Sequence, residues 1–264
     1  MANVQELKQY RNIHLIGIGG TSMSGIAQIL KHWGYNVTGS DANASDNTEK
    51  LINSKIYVTI GSDPSILNNV DLVIYSAAIH DTDPELSKAR ELGIPTIERG
   101  PFLGQLTHSF RNTISISGTH GKSTTSAMVS MCFIEAKQDP TIQIGANIPA
   151  INGNYRLGNS ENFIIESCEY ADSFLSFAPK AEIILNIDND HLDYFKNLDN
   201  IKAAFVKFVK LLPDDGILVY NADDENCSHI SKNTKAKSIT FGLKNKSANF
   251  IAKNISYDKN GFPS

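Results

Sequence analysis

The sequence predicts an α/β protein built from two modules, each with a parallel sheet covered by helices. Short β-rich runs alternate with helical stretches along the chain, a pattern typical of βαβ units. Two of the β runs pass through a glycine-bearing loop into a helix, at residues 14–25 and 117–124. Because 264 residues correspond to about two ordinary domains, each loop is expected to open a domain of its own.

In the first half, hydrophobic periodicity and turn residues define the elements. One helix has clear boundaries, since Asp83 is a good N-cap, Pro84 suits the first helical position and Gly93 ends the helix. The predicted elements are strands at 12–16, 35–37 and 70–75 and helices at 23–33 and 84–92.

The second half repeats this organisation after a polar stretch at 108–112, so we place a domain boundary after residue 110. The last residues, 257–264, are expected to form a turn leading into another strand, which suggests part of a longer protein. The predicted elements are strands at 113–117, 163–166, 183–187 and 216–220 and helices at 122–136 and 198–209.

Composition excludes several classes of protein. The 24 Lys and Arg residues against 28 Asp and Glu residues argue against a broad surface for nucleic acid or anionic lipid. No apolar run approaches the ~20 residues of a membrane span and the first residues lack a secretory signal, so a cytoplasmic protein is expected. Three scattered cysteines, Cys132, Cys168 and Cys227, do not indicate disulfides or a zinc site. Oligomeric state is not predicted.

The first strand-to-helix turn is rich in glycine. Gly17 and Gly19 follow the predicted strand, while Ser22 stands where a dinucleotide-binding loop has its third glycine. Backbone N–H groups at the start of such a helix can bind a pyrophosphate. Asp41 follows the second strand, where a ribose-binding acid is expected. A tight turn without a ligand, and a turn-forming Asp41, are the alternatives.

The second loop, Gly-Thr-His-Gly-Lys-Ser-Thr at 118–124, has the preceding strand and following helix that a nucleotide triphosphate loop requires. Gly121 lets the backbone wrap the phosphates, Lys122 can neutralise their oxygens, and the Ser123 hydroxyl can coordinate Mg²⁺. Ile116 stands at the first glycine position of the usual motif, and a later glycine takes over the turn. A chance match is the alternative.

Polar side chains follow the later strands, at the edge where a parallel sheet binds its ligands. Glu166 ends one strand and is a candidate magnesium ligand, with a solvent-facing acid as the alternative. His191 follows another strand beside three aspartates, where a capping or core histidine is the alternative. Asn221 follows a further strand and could bind an adenine edge or form an Asx turn.

Together these motifs resemble the Mur ligase family, over essentially all 264 residues. The resemblance implies a Rossmann-like UDP-sugar-binding domain at 1–110, a P-loop-containing ATPase-type central domain at 111–264, and a closing C-terminal domain outside this sequence. It rests on GIGGTSMSGIA, the GSD that ends at Asp41, YSAAI, GTHGKST, IIESCEYADSFL and NIDNDHLDYF.

The branch of the family that this sequence resembles most joins L-alanine to the lactyl carboxylate of UDP-N-acetylmuramate through an acyl phosphate, using ATP and Mg²⁺, in peptidoglycan synthesis. The resemblance assigns the diphosphate and uridine to Gly17, Gly19, Gly20, Ser22, Met23, Asp41 and Ser76. It assigns ATP to Gly118, Thr119, His120, Gly121, Lys122, Ser123, Thr124 and Asn221. Catalysis is assigned to Lys122, Glu166 and His191, and metal binding to Ser123, Glu166 and His191.

One departure from many relatives concerns the acidic cluster after Glu166, which reads Ser-Cys-Glu-Tyr at 167–170. Two other classes of function remain open at this point. A nicotinamide-dependent oxidoreductase would explain the first glycine loop but not the second. A non-catalytic module that binds UDP-sugar or ATP would explain both loops without ligation.

Overall fold

The computed structural model describes residues 7–259. These residues form two compact units: unit 1 comprises 7–113, 123–166 and 176–178, and unit 2 comprises 114–122, 167–175 and 179–259. Both contain parallel strands connected by helices, which confirms the predicted α/β class. The proposed domain boundary after residue 110 stays a prediction, and residues 260–264 of the predicted final turn and strand lie outside the described residues.

Strands and helices alternate along most of the chain. The strands are β1 (Asn12–Ile16), β2 (Asn36–Asp41), β3 (Tyr57–Ile60), β4 (Leu72–Tyr75), β5 (Thr96–Glu98), β6 (Asn112–Ser117), β7 (Thr141–Ile148), β8 (Gly153–Arg156), β9 (Asn162–Glu166), β10 (Ala181–Ile184), β11 (Ile217–Asn221), β12 (Lys237–Gly242) and β13 (Phe250–Ile251). The α-helices are α1 (Thr21–His32), α2 (Asp46–Asn53), α3 (Pro84–Glu91), α4 (Arg99–Thr107), α5 (Lys122–Glu135), α6 (Leu192–Phe195), α7 (Leu198–Val209) and α8 (Glu225–Ile230). Short 3₁₀ helices span Pro64–Asn69, Pro149–Ile151, Tyr170–Ser176 and Ser231–Asn233.

Unit 1 contains a five-stranded parallel sheet in the order β3-β2-β1-β4-β5. Ile16, at the end of β1, is level with Ser40 on one side and Tyr75 on the other. The carboxyl ends of the three central strands therefore meet at one edge, where the first glycine loop begins. In the same unit β9, β7 and β8 lie side by side, with β7 parallel to β9 and antiparallel to β8.

Local signals start and stop the helices of unit 1. The Asp83 carboxylate accepts the N–H groups of Glu85 and Leu86, and Pro84 occupies the first turn, as predicted. Gly93 follows α3 with a φ of 69°, a conformation that favours glycine. The start of α2 was not predicted, although the capping box between Ser45 and Thr48 is a sequence-level signal for it.

In unit 2, β13, β12, β11, β10 and β6 lie side by side and are parallel. Phe174 stacks on Phe208 with 4.2 Å between ring centroids and meets Phe205 edge-on, so three buried aromatic rings form the centre of this core. The predicted helix at 198–209 is confirmed as α7, which begins at the capping side chain of Asn197.

The predicted strand at 183–187 differs from β10, which ends at Ile184. The backbone of Asn186 instead accepts the N–H of Thr119, and the N–H of Ile187 is donated to the Asp224 carboxylate. The Leu185 N–H still donates to the Ser117 carbonyl of β6 at 3.1 Å, and the residues beyond Leu185 support the second glycine loop. Within residues 7–259 no helix is long and apolar enough to cross a membrane.

Candidate functional site

The first glycine loop is fixed by the end of β2. The Ser40 carbonyl accepts the N–H groups of Gly17 and Ile18, at 2.8 and 2.9 Å. The Asp41 carboxylate accepts the N–H of Gly19 at 2.8 Å. A Cβ at Gly19 would lie only 2.9 Å from that carboxylate oxygen, so the close approach requires glycine. Three consecutive N–H groups are thus already bound, and the protein itself holds the loop in shape.

The first turn of α1 presents the remaining donors. Gly20 is the N-cap, and within residues 7–259 no side chain caps this helix. The first-turn N–H groups lie at the positive end of the helix dipole, where they can bind an anion. The side chain of Met23 is buried in the core, which leaves only its backbone to meet a ligand. The predicted Ser76 lies at the same edge, with its Cβ about 3.1 Å from where a Cβ at Gly17 would be.

Arg99 is a site residue that the sequence analysis missed. It begins α4, and its guanidinium nitrogen Nη1 lies 3.4 Å from the hydroxyl of Ser22. A half-buried guanidinium beside the uncapped start of α1 suits a phosphate oxygen. The signal available in the sequence was an arginine directly after a β-rich run, which is weak without the fold.

A buried polar network lies beneath this loop. Glu85 is 1% exposed and accepts hydrogen bonds from the Ser40 hydroxyl and from the N–H of Asp63 at 2.7 Å. His14 Nε2 lies 3.4 Å from the same carboxylate, and its Nδ1 lies 2.8 Å from the Thr38 hydroxyl. Burial acts to raise the pKa of Glu85, but the hydrogen bonds from His14, Ser40 and Asp63 outweigh it and hold the pKa below its ordinary value.

The second glycine loop belongs to unit 2 up to Lys122. Gly118 and Gly121 have φ values of 139° and 84°, which favour glycine at both positions. The Asn186 side chain accepts the N–H of His120 at 2.8 Å and donates to its carbonyl at 3.0 Å. The Thr119 hydroxyl accepts the N–H of Asp188 at 2.8 Å. The segment after β10 therefore sets the shape of the loop.

Lys122 folds back over its own loop. Its Nζ donates to the carbonyls of Gly118 at 2.6 Å and Thr119 at 3.2 Å, and it pairs with the Glu169 carboxylate at 3.2 Å. Glu169 is 2% exposed, so the ammonium group neutralises a buried charge. Sequence reasoning gave Glu169 no role. An anionic ligand in the loop would have to exchange these acceptors for its own oxygens.

In unit 1, Ser123 meets Glu166, as the sequence predicted for a shared metal site. The Ser123 hydroxyl donates to the Glu166 carboxylate at 3.0 Å, and the other carboxylate oxygen accepts the N–H of Gly145 at 2.8 Å. A hydroxyl and a carboxylate side by side at the start of a helix form an oxygen donor set that suits Mg²⁺. Thr124, the next residue, is exposed.

His191 lies in a cluster of unit 2 that offers three possible metal ligands. One ligand atom each from Glu169, Asp190 and His191 falls within 4.8 Å of the others. His191 has a φ of 50°, and its ring lies 4.9 Å from that of Tyr170. The strained backbone turns the imidazole toward the two acids.

The side chain of Asn221 forms an Asx turn, the alternative that the sequence left open. Its oxygen accepts the N–H of Asp223 at 3.0 Å, and its nitrogen donates to the Leu185 carbonyl at 3.2 Å. Asn221 therefore ties β11 to the segment after β10. Its contact with adenine stays a prediction.

Both halves of the chain match models of known protein families. The model described as "Mur ligase middle domain" matches residues 116–264, more than half of the chain. The chain belongs to the Mur ligase family. The model described as "Mur ligase family, catalytic domain" matches residues 12–111. The resemblance drawn from the combined sequence motifs is thereby confirmed.

Similarity to individual Mur ligases supports this assignment. The UDP-N-acetylmuramate–L-alanine ligase of Acetivibrio thermocellus is 44% identical over 260 residues, which cover 98% of this chain and 55% of the relative. The structure of UDP-N-acetylmuramate-alanine ligase from Thermotoga maritima is 30% identical, with a TM-score of 0.78 over 89% of this chain and 53% of that one.

The name of a third similar Mur ligase gives a peptide in place of L-alanine. The UDP-N-acetylmuramate:L-alanyl-gamma-D-glutamyl-meso-diaminopimelate ligase from Neisseria meningitides is 26% identical, with a TM-score of 0.78 over 88% of this chain and 78% of that one. The present chain spans about half the length of the curated relatives it matches.

Proposed function

We propose that this chain provides the UDP-sugar-binding and ATP-binding parts of a ligase that joins L-alanine to UDP-N-acetylmuramate in peptidoglycan synthesis. The names of the relatives from Acetivibrio thermocellus and Thermotoga maritima support this substrate pair. The observation that carries the proposal is the hydroxyl of Ser123, next to Lys122 in the chain, 3.0 Å from the Glu166 carboxylate. A lysine and a carboxylate-bound serine at the start of a helix suit a triphosphate.

In this proposal ATP phosphorylates the lactyl carboxylate, which gives an acyl phosphate and ADP. The amine of L-alanine then attacks the acyl carbon, and phosphate leaves as the amide forms. The contribution of the chain is positioning and charge neutralisation. Lys122 exchanges the carbonyls of Gly118 and Thr119 for phosphate oxygens, while Gly121 and the loop N–H groups follow the phosphates.

The residues present fit magnesium. Ser123 and Glu166 would hold one ion through oxygen atoms, and His191 would hold a second together with Glu169. When bound, magnesium supplies positive charge that stabilises the transferring phosphoryl group. Asn221 would contact the adenine ring beyond the loop.

For the sugar nucleotide, the proposal places the diphosphate at the uncapped first turn of α1. Ser22 and Arg99 add a hydroxyl and a guanidinium there. Gly17 and Gly19 let the backbone turn tightly, and Ser76 and Asp41 lie toward the uridine. Because Asp41 already accepts the N–H of Gly19, its contribution is largely to shape the loop.

Calorimetric titration of this chain tests the proposal. UDP-N-acetylmuramate and ATP with MgCl₂ are expected to bind saturably, whereas NADH is expected not to bind. A Lys122→Ala variant should lose ATP binding and keep UDP-sugar binding. Binding of NADH without either nucleotide substrate would contradict the assignment. The identity of the amine substrate is tested in a chain extended to the length of the relatives. ADP release should depend on L-alanine and should not occur with L-alanyl-gamma-D-glutamyl-meso-diaminopimelate, the peptide in the name of the Neisseria meningitides ligase.

A further inference from the structure

Two short segments of unit 2 that carry candidate metal ligands have unfavourable backbone conformations. In the first, Glu169 lies just before Ala171 and Asp172, whose φ values are 53° and 56°. In the second, His191 has a φ of 50° and directly precedes α6. None of the residues with a positive φ is glycine, so each is strained by its own Cβ. Such conformations persist only where the surrounding contacts hold them.

Two hydrogen bonds between tyrosine and aspartate join these segments crosswise. The Tyr170 hydroxyl of the first segment donates to the Asp193 carboxylate of the second at 3.3 Å. The Tyr194 hydroxyl of the second segment donates to the Asp172 carboxylate of the first at 3.0 Å. The two tyrosine rings lie 5.8 Å apart, and the Tyr170 ring lies 4.9 Å from the His191 imidazole. We call these two tyrosines and two aspartates the tyrosine latch.

The latch lies at the surface and adds little to the core of unit 2. Tyr170 is 43% exposed and Tyr194 is 41% exposed, and neither belongs to the hydrophobic cluster around the three buried phenylalanine rings. The two hydrogen bonds therefore act mainly on the placement of one strained segment against the other. Glu169 and His191 lie in those segments, with ligand atoms within 4.8 Å of each other.

We propose that Tyr170 and Tyr194 are positioning residues for the metal ion of Glu169 and His191, because their hydroxyls hold both strained segments where the two ligands can share an ion. This inference rests on the proposed function, which places a second magnesium ion there. Loss of one hydrogen bond should let the segments relax, and the apparent metal affinity falls with the fraction of chains in the binding conformation. Glycine at position 171 should offset that loss, since glycine adopts a positive φ without strain.

The affinity of the nucleotide-free chain for Mn²⁺ provides the test. Mn²⁺ accepts the carboxylate and imidazole ligands present, and electron paramagnetic resonance measures its free concentration during a titration. Comparison of the wild-type chain with His191→Ala separates the binding that depends on His191 from the rest. The proposed function assigns the rest to Ser123 and Glu166.

The test variants are Tyr170→Phe and Tyr194→Phe, each of which keeps the ring and removes one hydroxyl. Tyr257→Phe is the matched control, on a tyrosine of the same unit that is 69% exposed. Ala171→Gly is added to Tyr194→Phe to relieve the strain that the latch holds. Ala171 is exposed, so this change removes no packing from the core.

Each latch variant should bind Mn²⁺ about three- to tenfold more weakly at the site that depends on His191, the effect of one hydrogen bond to a charged group. Ala171→Gly should recover most of this loss in the Tyr194→Phe chain, and Tyr257→Phe should bind as the wild type does. The binding that survives in His191→Ala should be the same in every variant, which also shows that the variants are folded.

Wild-type affinity in both latch variants, or a loss that Ala171→Gly does not recover, would overturn the inference. An equal loss at both metal sites would also overturn it, because a general loss of structure would then explain the result. In each of these cases the second metal site of the proposed function stands. Absence of any binding that depends on His191 in the wild-type chain would instead refute that metal site, and the role of the latch with it.

Discussion

The side-chain amide of Asn186 pairs with both backbone groups of His120, accepting its N–H at 2.8 Å and donating to its carbonyl at 3.0 Å. This pairing imitates one step of a strand ladder beyond the end of β10. It replaces a neighbouring strand at the point where the second glycine loop must curve away from the sheet. The shape of the loop therefore depends on a residue outside its own motif.

Replacing Asn186 with Asp should weaken ATP binding about tenfold. The carboxylate keeps the acceptor for the His120 N–H but loses the donor and places a negative charge against the carbonyl. Titration with ATP and MgCl₂ measures the change. Asn189→Asp, the same exchange on an exposed side chain of the same segment, is the control and should bind as the wild type does. An unchanged Kd for Asn186→Asp would show that the loop keeps its shape without this pair.

Lys122→Met should lower both ATP affinity and stability. The ATP affinity should fall at least tenfold because a charge-assisted contact is lost. The free energy of unfolding should fall by about 1–3 kcal/mol because Glu169, which is 2% exposed, loses its cation. Adding Glu169→Gln should restore stability without restoring ATP affinity. Urea unfolding measures the stability and calorimetry measures the ATP affinity, with the exposed Lys207→Met as the control for both. Recovery of ATP binding in the double variant would contradict the role of Lys122.

Glu182 makes the stability of unit 2 depend on pH. It lies in β10 between Ser115 and Leu218, is fully buried, and neither carboxylate oxygen makes a hydrogen bond among the described residues. Burial raises its pKa well above the ordinary value. The pKa of Glu182 is therefore higher in the folded state than in the unfolded state, where it is about 4.3. The stability that depends on the protonated carboxyl group is fully present below the unfolded-state pKa and is lost as pH rises through the folded-state pKa.

Urea unfolding between pH 5 and pH 9 should therefore show stability falling as pH rises, by up to about 1.4 kcal/mol for each pH unit below the folded-state pKa of Glu182. Glu182→Leu should flatten this slope and raise stability by about 1–3 kcal/mol at pH 8. Glu135→Gln, on an exposed residue at the end of α5, should change neither quantity. A slope that persists in Glu182→Leu would mean that another group carries the pH dependence.

Glu85 has the opposite effect, since its hydrogen bonds hold its pKa below the ordinary value despite burial. Its contribution to stability is present above the unfolded-state pKa of about 4.3 and is lost as pH falls through the folded-state pKa. Glu85→Gln should cost about 1–3 kcal/mol at pH 7 and less at pH 3. Urea unfolding at both values checks this, with the exposed Glu49→Gln as control; an equal loss at both pH values would contradict the electrostatic explanation.

The fold class and both loops could be predicted because their signals are local. Glycines that need a positive φ, Pro84 after the capping Asp83, and the Lys122–Ser123 pair at a helix start all have meanings that depend on their immediate neighbours. The sequence also predicted that Ser123 and Glu166 share a site. Ser123 lies at the start of a helix and Glu166 at the end of a strand, which are the positions that a nucleotide-binding pattern brings together.

What sequence reasoning missed depends on contacts between distant segments. Asn186 interrupts an apolar run, but its pairing with His120 is visible only once the chain has folded. Arg99 and Ser22 are 77 positions apart. Glu182 would be assigned to a solvent face by alternation along a strand, since a buried acid without a partner is unfavourable and rarely expected.

The arrangement at the end of β2 determines which amide protons a ligand can protect from solvent. Hydrogen exchange at Gly17, Ile18 and Gly19 should be slow even in the ligand-free protein, because Ser40 and Asp41 already hold these three N–H groups. Exchange at the first turn of α1 should be fast until a diphosphate is bound. The glycines that mark the loop in the sequence are thus its scaffold, and the residues that respond to the ligand are the ones that follow them.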